Sequence, residues 1–511
     1  MIDITELRKL DMAPAARERL ERALRWVEDS TYYEEIRKHL HLISRPSRPG
    51  LAPADFEALC AVRKFVPLPA VVLACCNTFA VTEEKFDLAT GQLKCARRPI
   101  VEPLINDVIA ALDLPVSVSF APLSVVRSVV ASTTVARQFD LVSSFDQVPV
   151  AASLLPLFSV GSGHACRTLS MGFKPACDVL EAILGALTPY PLPDNVHVIT
   201  RVDNILFAGP ADSANEAGEL FLARAARVGV VLNPFEGVSD SYEFLGESYR
   251  HAGQHGDATR TLSRKSRWKL EAVRSALSAL QQSPSRVPVR RVCAFFGLLW
   301  FCGETQDVLP AYYHFALRFL AGLSSACSRG EITWTTPVAL PPSTVTDLVA
   351  WADAILCGSP VPVVRKHLER SLDIFVDASE GGWGAIIIDA DGGVKTLSFP
   401  WAAADWAQWN LASSVAAEPL GILRAACCAC VVGRVGKAVI HTDHLPILYA
   451  AQHGSGKAYA YSHLLAFLRT QLPTWQFEFV WLPGNLNPAD ALSRAFCGAP
   501  PLLPVTNVGR S

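Results

Sequence analysis

The segment Leu372-Asp-Ile-Phe-Val-Asp377-Ala-Ser-Glu-Gly-Gly-Trp-Gly-Ala-Ile-Ile-Ile388 constrains this chain more than any other. Two apolar runs flank a glycine-rich turn, which predicts two adjacent strands. Asp377 closes the first run, where a buried, unpaired carboxylate is costly unless a metal or another cation meets it. Three further acids follow in recognisable local frames. Glu418 opens the helical run Glu418-Pro-Leu-Gly-Ile-Leu-Arg-Ala-Ala, and Asp443 ends the β-like run Ala438-Val-Ile-His-Thr-Asp443. Asp490 falls in the first turn of a helix that Asn487-Pro488 is suited to start. Any one of these acids alone reads more simply as a cap or a surface ion-pair partner. Four in this order, each with its own frame, are another matter.

At 511 residues the chain exceeds what one core usually organises, and half of its residues are hydrophobic, so two or more well-filled domains are expected. No apolar run reaches the roughly 18–20 residues of a membrane span. The Arg- and Glu-rich first thirty residues lack the apolar centre of a secretory signal. These features predict a soluble, intracellular protein, cytoplasmic or nuclear, without a membrane partner. The 14 cysteines are scattered, mostly within apolar segments, as free buried thiols would be. Cys427 and Cys430 form a C-x-x-C, but no second Cys or His pair completes a zinc site. The net charge of −2 hides a local asymmetry: ten basic residues against two acidic ones between Arg250 and Arg291. That stretch reads either as a phosphate-backbone contact or as a solvated helix face.

Punctuation along the chain predicts its divisions. Residues 1–60 read as charged helices interrupted at Ser44-Arg-Pro-Ser-Arg-Pro-Gly50; 61–246 mix short β-like runs with helices; 247–365 are basic and helical, with a Pro-rich junction at Pro337 to Pro342. The last block, 366–496, begins with alternating strands and closes with helices, and 497–511 form a tail.

The frames D-A-S-x-x-G-W-G-A, the helix Glu, T-D-H and P-G-x-x-N-P-A-D-x-L-S-R together resemble the ribonuclease H domain of retroelement polymerases, over about 130 residues. The resemblance implies a mixed sheet with flanking helices and carries over Asp377, Glu418, Asp443 and Asp490 as metal-binding, catalytic acids. Four carboxylates can hold two Mg²⁺ (or Mn²⁺) ions about 4 Å apart, one activating water and one stabilising the leaving 3′ oxygen. Many members carry a His before the final acid; here that loop reads Gly484-Asn-Leu-Asn487, and His444 fits a structural role or that of a hydrogen-bond donor behind the acids.

Upstream, Phe139-Asp140-Leu-Val-Ser-Ser-Phe145-Asp-Gln-Val-Pro-Val150 resembles motif A of reverse transcriptases. The resemblance implies metal ligation by Asp140 and a steric gate against a ribose 2′-OH at Phe145; Asp146 is not at a metal-binding position. Leu169-Ser-Met-Gly172-Phe-Lys-Pro-Ala-Cys177 resembles motif B, with Gly172 permitting close backbone approach of nucleotide and template. His197-Val-Ile-Thr-Arg-Val-Asp203-Asn204-Ile-Leu-Phe-Ala-Gly209 is a hairpin signal in its own right. After motifs A and B it resembles the Y-x-D-D hairpin, Asp203 matching the first acid and joining Asp140 in holding two metals. Asn204 stands for the second acid, Arg201 for the Tyr, and Glu236 for a common Lys. Arg98-Pro-Ile-Val-Glu-Pro-Leu-Ile-Asn106 resembles a fingers motif, with Arg98 as a triphosphate contact.

The expected architecture is therefore an α+β, α/β multidomain chain: right-hand palm and fingers, a helical thumb and connection, then a ribonuclease-H-like mixed sheet with flanking helices. The expected function is that of a retroelement reverse transcriptase and ribonuclease H, DIRS-like or otherwise related to long-terminal-repeat elements. Its partners would be RNA template, DNA primer, RNA–DNA hybrid and dNTPs, with two ions per active site. Asn204 keeps the hairpin's shape and removes a charge, so two alternatives stay open: a ribonuclease H on a decayed, nucleic-acid-binding palm, and a non-enzymatic, domesticated or degenerate nucleic-acid-binding protein.

Overall fold

The computed structural model describes residues 1–48, 50–68, 71–87, 92–118, 120–252, 257–363, 369–454 and 456–497, with side chains 83–96 outside the description. The expected tail therefore lies outside the described residues, apart from Cys497. The chain is a mixed α and β protein with two compact units: Met1–Phe244 with Ser248–Thr259 and Pro362–Val364, and Leu245–Glu247 with Arg260–Val361 and the remainder from Arg365. Among the described residues no helix is long and apolar enough to cross a membrane.

In the first unit, helix α1 (Pro14–Leu24) starts on a proline, whose missing N–H costs nothing in a first turn. It buries Leu20, Ala23 and Leu24 against α2 (Ala176–Leu187). A long antiparallel pair, β1 (Cys76–Asp87) and β2 (Gln92–Pro103), runs in register from Cys76 opposite Pro103. The central sheet has three antiparallel strands, β3 (Val135–Asp140), β4 (His197–Arg201) and β5 (Asn204–Gly209), with β5 in the middle. A middle strand covered on both faces needs an unbroken apolar run, and Ile205 through Gly209 are all buried. Helix α3 (Ala211–Arg227) packs on β3 and β5, where Phe139, Phe207 and Phe221 meet with ring centroids 5.0–6.1 Å apart. Each such ring contributes about 1.5–3 kcal/mol on burial.

The second unit opens with four helices: α4 (Arg264–Gln282), capped by Ser263 Oγ accepting from the Ser266 N–H, α5 (Val289–Thr305), α6 (His314–Ser328) and α7 (Pro342–Leu356). Trp351 is fully buried among them and stacks on Tyr313 at 5.1 Å. Part of the expected junction is a strand: Pro337–Ala339 pairs antiparallel with Arg286–Pro288, and Pro342 begins α7. Proline suits a helix's first turn, so this cluster marks a start as much as a break. Several of the ten basic residues noted above are engaged within their own unit, Arg291 among them, over the Phe295 ring at 5.7 Å. Arg260 donates to the Thr305 and Glu304 carbonyls, Arg267 to the Leu356 carbonyl, and Arg274 pairs with Asp353.

Next comes a five-stranded mixed sheet of β6 (Arg370–Ala378), β7 (Gly382–Asp389), β8 (Val394–Pro400), β9 (Gly436–Thr442) and β10 (Trp475–Trp481), ordered β8-β7-β6-β9-β10. The first three form an antiparallel meander, while β9 lies parallel to β6 and β10 parallel to β9. The last block closes with short helices, but strand β10 comes between the helix Tyr459–Gln471 and them. The alternation Trp475-Gln-Phe-Glu-Phe-Val-Trp481 is a period-two strand pattern. Ile374, Val376, Ala385, Ile387, Ala438 and Ile440 give the sheet one apolar face. Helix α8 (Ser414–Ala429) covers β6 and β7, and α10 (Tyr459–Gln471), which follows α9 (Leu445–His453), packs on α8. The short α11 (Asp490–Ser493) rests on β6 and β7.

Candidate metal centre and acidic hairpin

Alternation along β6 sends Ile374 and Val376 into the core and Asp377 to the other side, one residue before the strand ends. Asp443 follows the last residue of β9, the strand parallel to β6, so both acids emerge at the same sheet end. Glu418 comes from α8, which begins at Ser414, four residues earlier than its sequence suggested. Ser413 caps it with Oγ accepting from the Val415 N–H, and Pro419 lies inside the helix, forgoing one backbone bond. Gly421, a turn further on, lets the helix sit close: an added Cβ would be 3.1 Å from Ala378 Cβ.

Ligand atoms of Asp377, Glu418 and Asp443 lie within 4.8 Å of one another. Asp377 and Glu418 are each only 6% exposed. Burial, with the neighbouring Asp443 and Asp490 adding to it, pushes the Asp377 carboxyl up to about 6, against a smaller lowering by the Ser493 hydroxyl, which donates to Asp377 Oδ2. Burial, then Asp377 and Asp443, holds Glu418 well above the usual carboxylate range, and its Oε2 is buried without a hydrogen-bond partner. An orphaned, buried carboxylate oxygen facing two more acids is what a divalent cation would satisfy.

Asp490 lies in the first turn of α11, as expected, but its Oδ1 accepts from Arg494 Nε and Nη2 at 2.9 and 2.7 Å, and it is not among the three acids grouped above. Asn487 holds the approach to that helix, its amide donating to the Val376 carbonyl and its Oδ1 accepting from the Ala489 N–H. His444 Nε2 lies 2.9 Å from the Tyr461 hydroxyl, and burial lowers its pKa. Gly484 abuts the centre: an added Cβ would be 2.6 Å from Asp443 Oδ2. Ser493 was quoted in the sequence only as part of a frame; nothing there marked it as the donor to Asp377.

In the first unit, register brings Asp140 opposite Asn204, and the Leu141 N–H donates to the Asp203 carbonyl at 2.9 Å. The two acids are thus neighbours, each with an amide on it: Asn233 Nδ2 donates to Asp140 Oδ2 at 2.5 Å and Asn204 Nδ2 to Asp203 Oδ1 at 2.8 Å. Asp140 and Asn204 line a cavity of about 360 Å³ with Phe235, Glu236 and Glu243. Phe145 is in a short 3₁₀ turn, partly buried against the core, and Asp146 pairs with Lys64 at 2.5 Å. Gly172 does permit a close approach, but to protein backbone: a Cβ there would be 2.5 Å from the Val101 carbonyl. Asn106 fastens the same loop, donating to the Gly172 carbonyl and accepting from the Lys174 N–H. Arg98 reaches toward Met171, its Nη1 3.9 Å from the sulfur. Arg201 lies over the Phe120 ring at 4.4 Å.

No family profile and no curated protein matches the chain. Among solved structures it is similar to the foamy viral protease-reverse transcriptase in complex with double-stranded DNA, at 12% identity and a TM-score of 0.42, over 94% of this chain and 82% of the other. The same viral protein in complex with an RNA/DNA hybrid is similar at 12% identity and a TM-score of 0.42, over 94% of this chain and 63% of the other.

Proposed function

We propose that this chain is a retroelement polymerase that copies RNA into DNA from dNTPs and cleaves the RNA strand of the resulting hybrid. The reading places it among elements related to long-terminal-repeat retroelements, DIRS-like ones included. The observation that carries the nuclease half is the buried group Asp377, Glu418 and Asp443 at one end of the mixed sheet. Divalent ions held there, with Asp490 as a further ligand from the rim, would activate water and stabilise the departing 3′ oxygen of a phosphodiester. The chain's own part is to keep the acids dry and fixed. Ser493 holds Asp377 by a hydrogen bond, Gly484 leaves Asp443 its space, and Trp481 Nε1 donates to the Asp443 carbonyl at 3.1 Å. Asp140 and Asp203 would hold the ions of the polymerase site, with Phe145 as the ribose gate, Asn204 lining the nucleotide's path, Arg98 meeting its phosphates and Gly172 letting its loop pack on the Val101 backbone behind them.

A second reading draws on one specific contrast. The nuclease acids form a three-carboxylate group, whereas the hairpin site has two acids, each with an asparagine amide on it. On that reading the palm binds hybrid and the nuclease alone is catalytic. Primer extension on an RNA template with Mg²⁺ or Mn²⁺, both strands labelled, separates the two. Extension that disappears in Asp140→Asn and Asp203→Asn while cleavage persists, with the reverse pattern in Asp377→Asn, supports the bifunctional enzyme. Cleavage without extension under either metal sinks its polymerase half.

A further inference from the structure

Helix α2 is apolar along nearly its whole length, and its two acids, Asp178 and Glu181, are both buried. Glu181 is 2% exposed and accepts two hydrogen bonds, one from a hairpin turn and one from the strand that leads into it. Its Oε1 accepts from the Val202 backbone N–H at 2.5 Å and its Oε2 from the Thr200 hydroxyl at 2.7 Å. Cys177, one helical turn before Glu181, has its thiol pushed up by burial, then by Glu181 and Asp203, so the carboxylate and the hairpin acid share one neighbourhood.

The turn that Glu181 grips is an unfavourable one. Register pairs Arg201 with Asn204, leaving Val202 and Asp203 as a two-residue hairpin turn. Val202 has φ +57°, in the left-handed region, at the first central position, where such turns ordinarily take glycine, asparagine or aspartate. A β-branched residue is among the least tolerant of that conformation, which persists only where surrounding contacts impose it. The residue immediately after it is Asp203.

From the two hydrogen bonds, the burial and the left-handed valine, we infer that Glu181 is a positioning residue of the hairpin site: it clamps the strained turn so that Asp203 stands beside Asp140. This rests on the reading of Asp140 and Asp203 as metal ligands. It adds that their alignment is imposed from behind by a carboxylate that touches neither metal nor substrate. The clamp should be dispensable when the turn is relaxed, so Val202→Gly should rescue a chain that has lost it.

The test uses the full chain with Asp377→Asn and Asp443→Asn as background, so that bound Mn²⁺ counted by electron paramagnetic resonance reports on the hairpin site. Primer extension on RNA is measured alongside. Glu181→Ala is expected to weaken Mn²⁺ binding and extension at least tenfold, and Glu181→Ala with Val202→Gly to recover most of both. A general folding defect would lower the melting temperature without being rescued by a glycine in the turn. Mn²⁺ binding that is unchanged by Glu181→Ala, that Val202→Gly fails to restore, or that is absent from the background chain overturns the clamp. Mn²⁺ that binds and responds as expected without any extension upholds the clamp and sinks the polymerase reading instead.

Discussion

Removing one charge from the group of Asp377, Glu418 and Asp443 should make the metal-free protein more stable and, on the proposed reading, abolish cleavage. In Asp377→Asn the amide oxygen can still accept the Ser493 hydroxyl, so the change is close to a pure loss of charge within a buried group. A carboxyl moved from its ordinary 3.8 to about 6 corresponds to at most about 3 kcal/mol of penalty on its ionised form, and solvent at the open rim reduces this to roughly 1.5–3 kcal/mol. For a unit of this size that is a rise in melting temperature of about 3–10 °C. Between 3.8 and about 6 the folded state holds a proton that the unfolded chain has released, so metal-free stability falls as pH rises through that window. The variant's advantage is therefore complete above about pH 6 and gone below 3.8. Mg²⁺ should reverse the order, because binding to the folded parent adds stability that the variant largely forgoes. Melting curves at neutral and acidic pH, with chelator and with Mg²⁺, read all of this. A variant that melts at or below the parent in chelator at neutral pH would refute the reasoning.

Two further changes probe geometry. Gly484→Ala puts a Cβ 2.6 Å from Asp443 Oδ2 at a residue without a left-handed backbone. Stability should change by under about 1 kcal/mol, while displacement of the acid lowers cleavage by about 10- to 100-fold in single-turnover assays; full cleavage would mean that Asp443 has room to spare. Asn204→Asp returns a third carboxylate opposite Asp140 and removes the amide from Asp203. Extension at limiting Mg²⁺ should rise about tenfold, equivalent to about 1.4 kcal/mol, and a flat or falling rate would show that charge is not what limits the hairpin site.

That Asp377, Glu418 and Asp443 could meet was legible because each has a plain local frame: an apolar strand before Asp377 and Asp443, a helix around Glu418. What the sequence concealed was three-dimensional engagement. Asp490 sits where its frame put it, yet its oxygen is turned to Arg494, an orientation that no spacing encodes. The start of α8 was misread because Pro419 reads as a first-turn residue, whereas here Ser413 supplies the cap and the proline is carried inside. Strand β10 was hidden by the helices before it, although its alternation was visible. Gly172 was recognised as a point of close approach, but the partner, Val101, is 71 positions away in the chain. For Glu181 there was a signal that went unused: a single acid among Val179, Leu180, Ala182, Ile183 and Leu184 must find partners when its helix is buried.

The buried acids also bear on how such a chain would decay. If losing any one of Asp377, Glu418 or Asp443 relaxes the empty fold, a copy drifting without use gains robustness from the first such loss and nothing from keeping all three. On the proposed reading, the group is then the part that idleness would erode earliest, and only continued use would keep its three acids together.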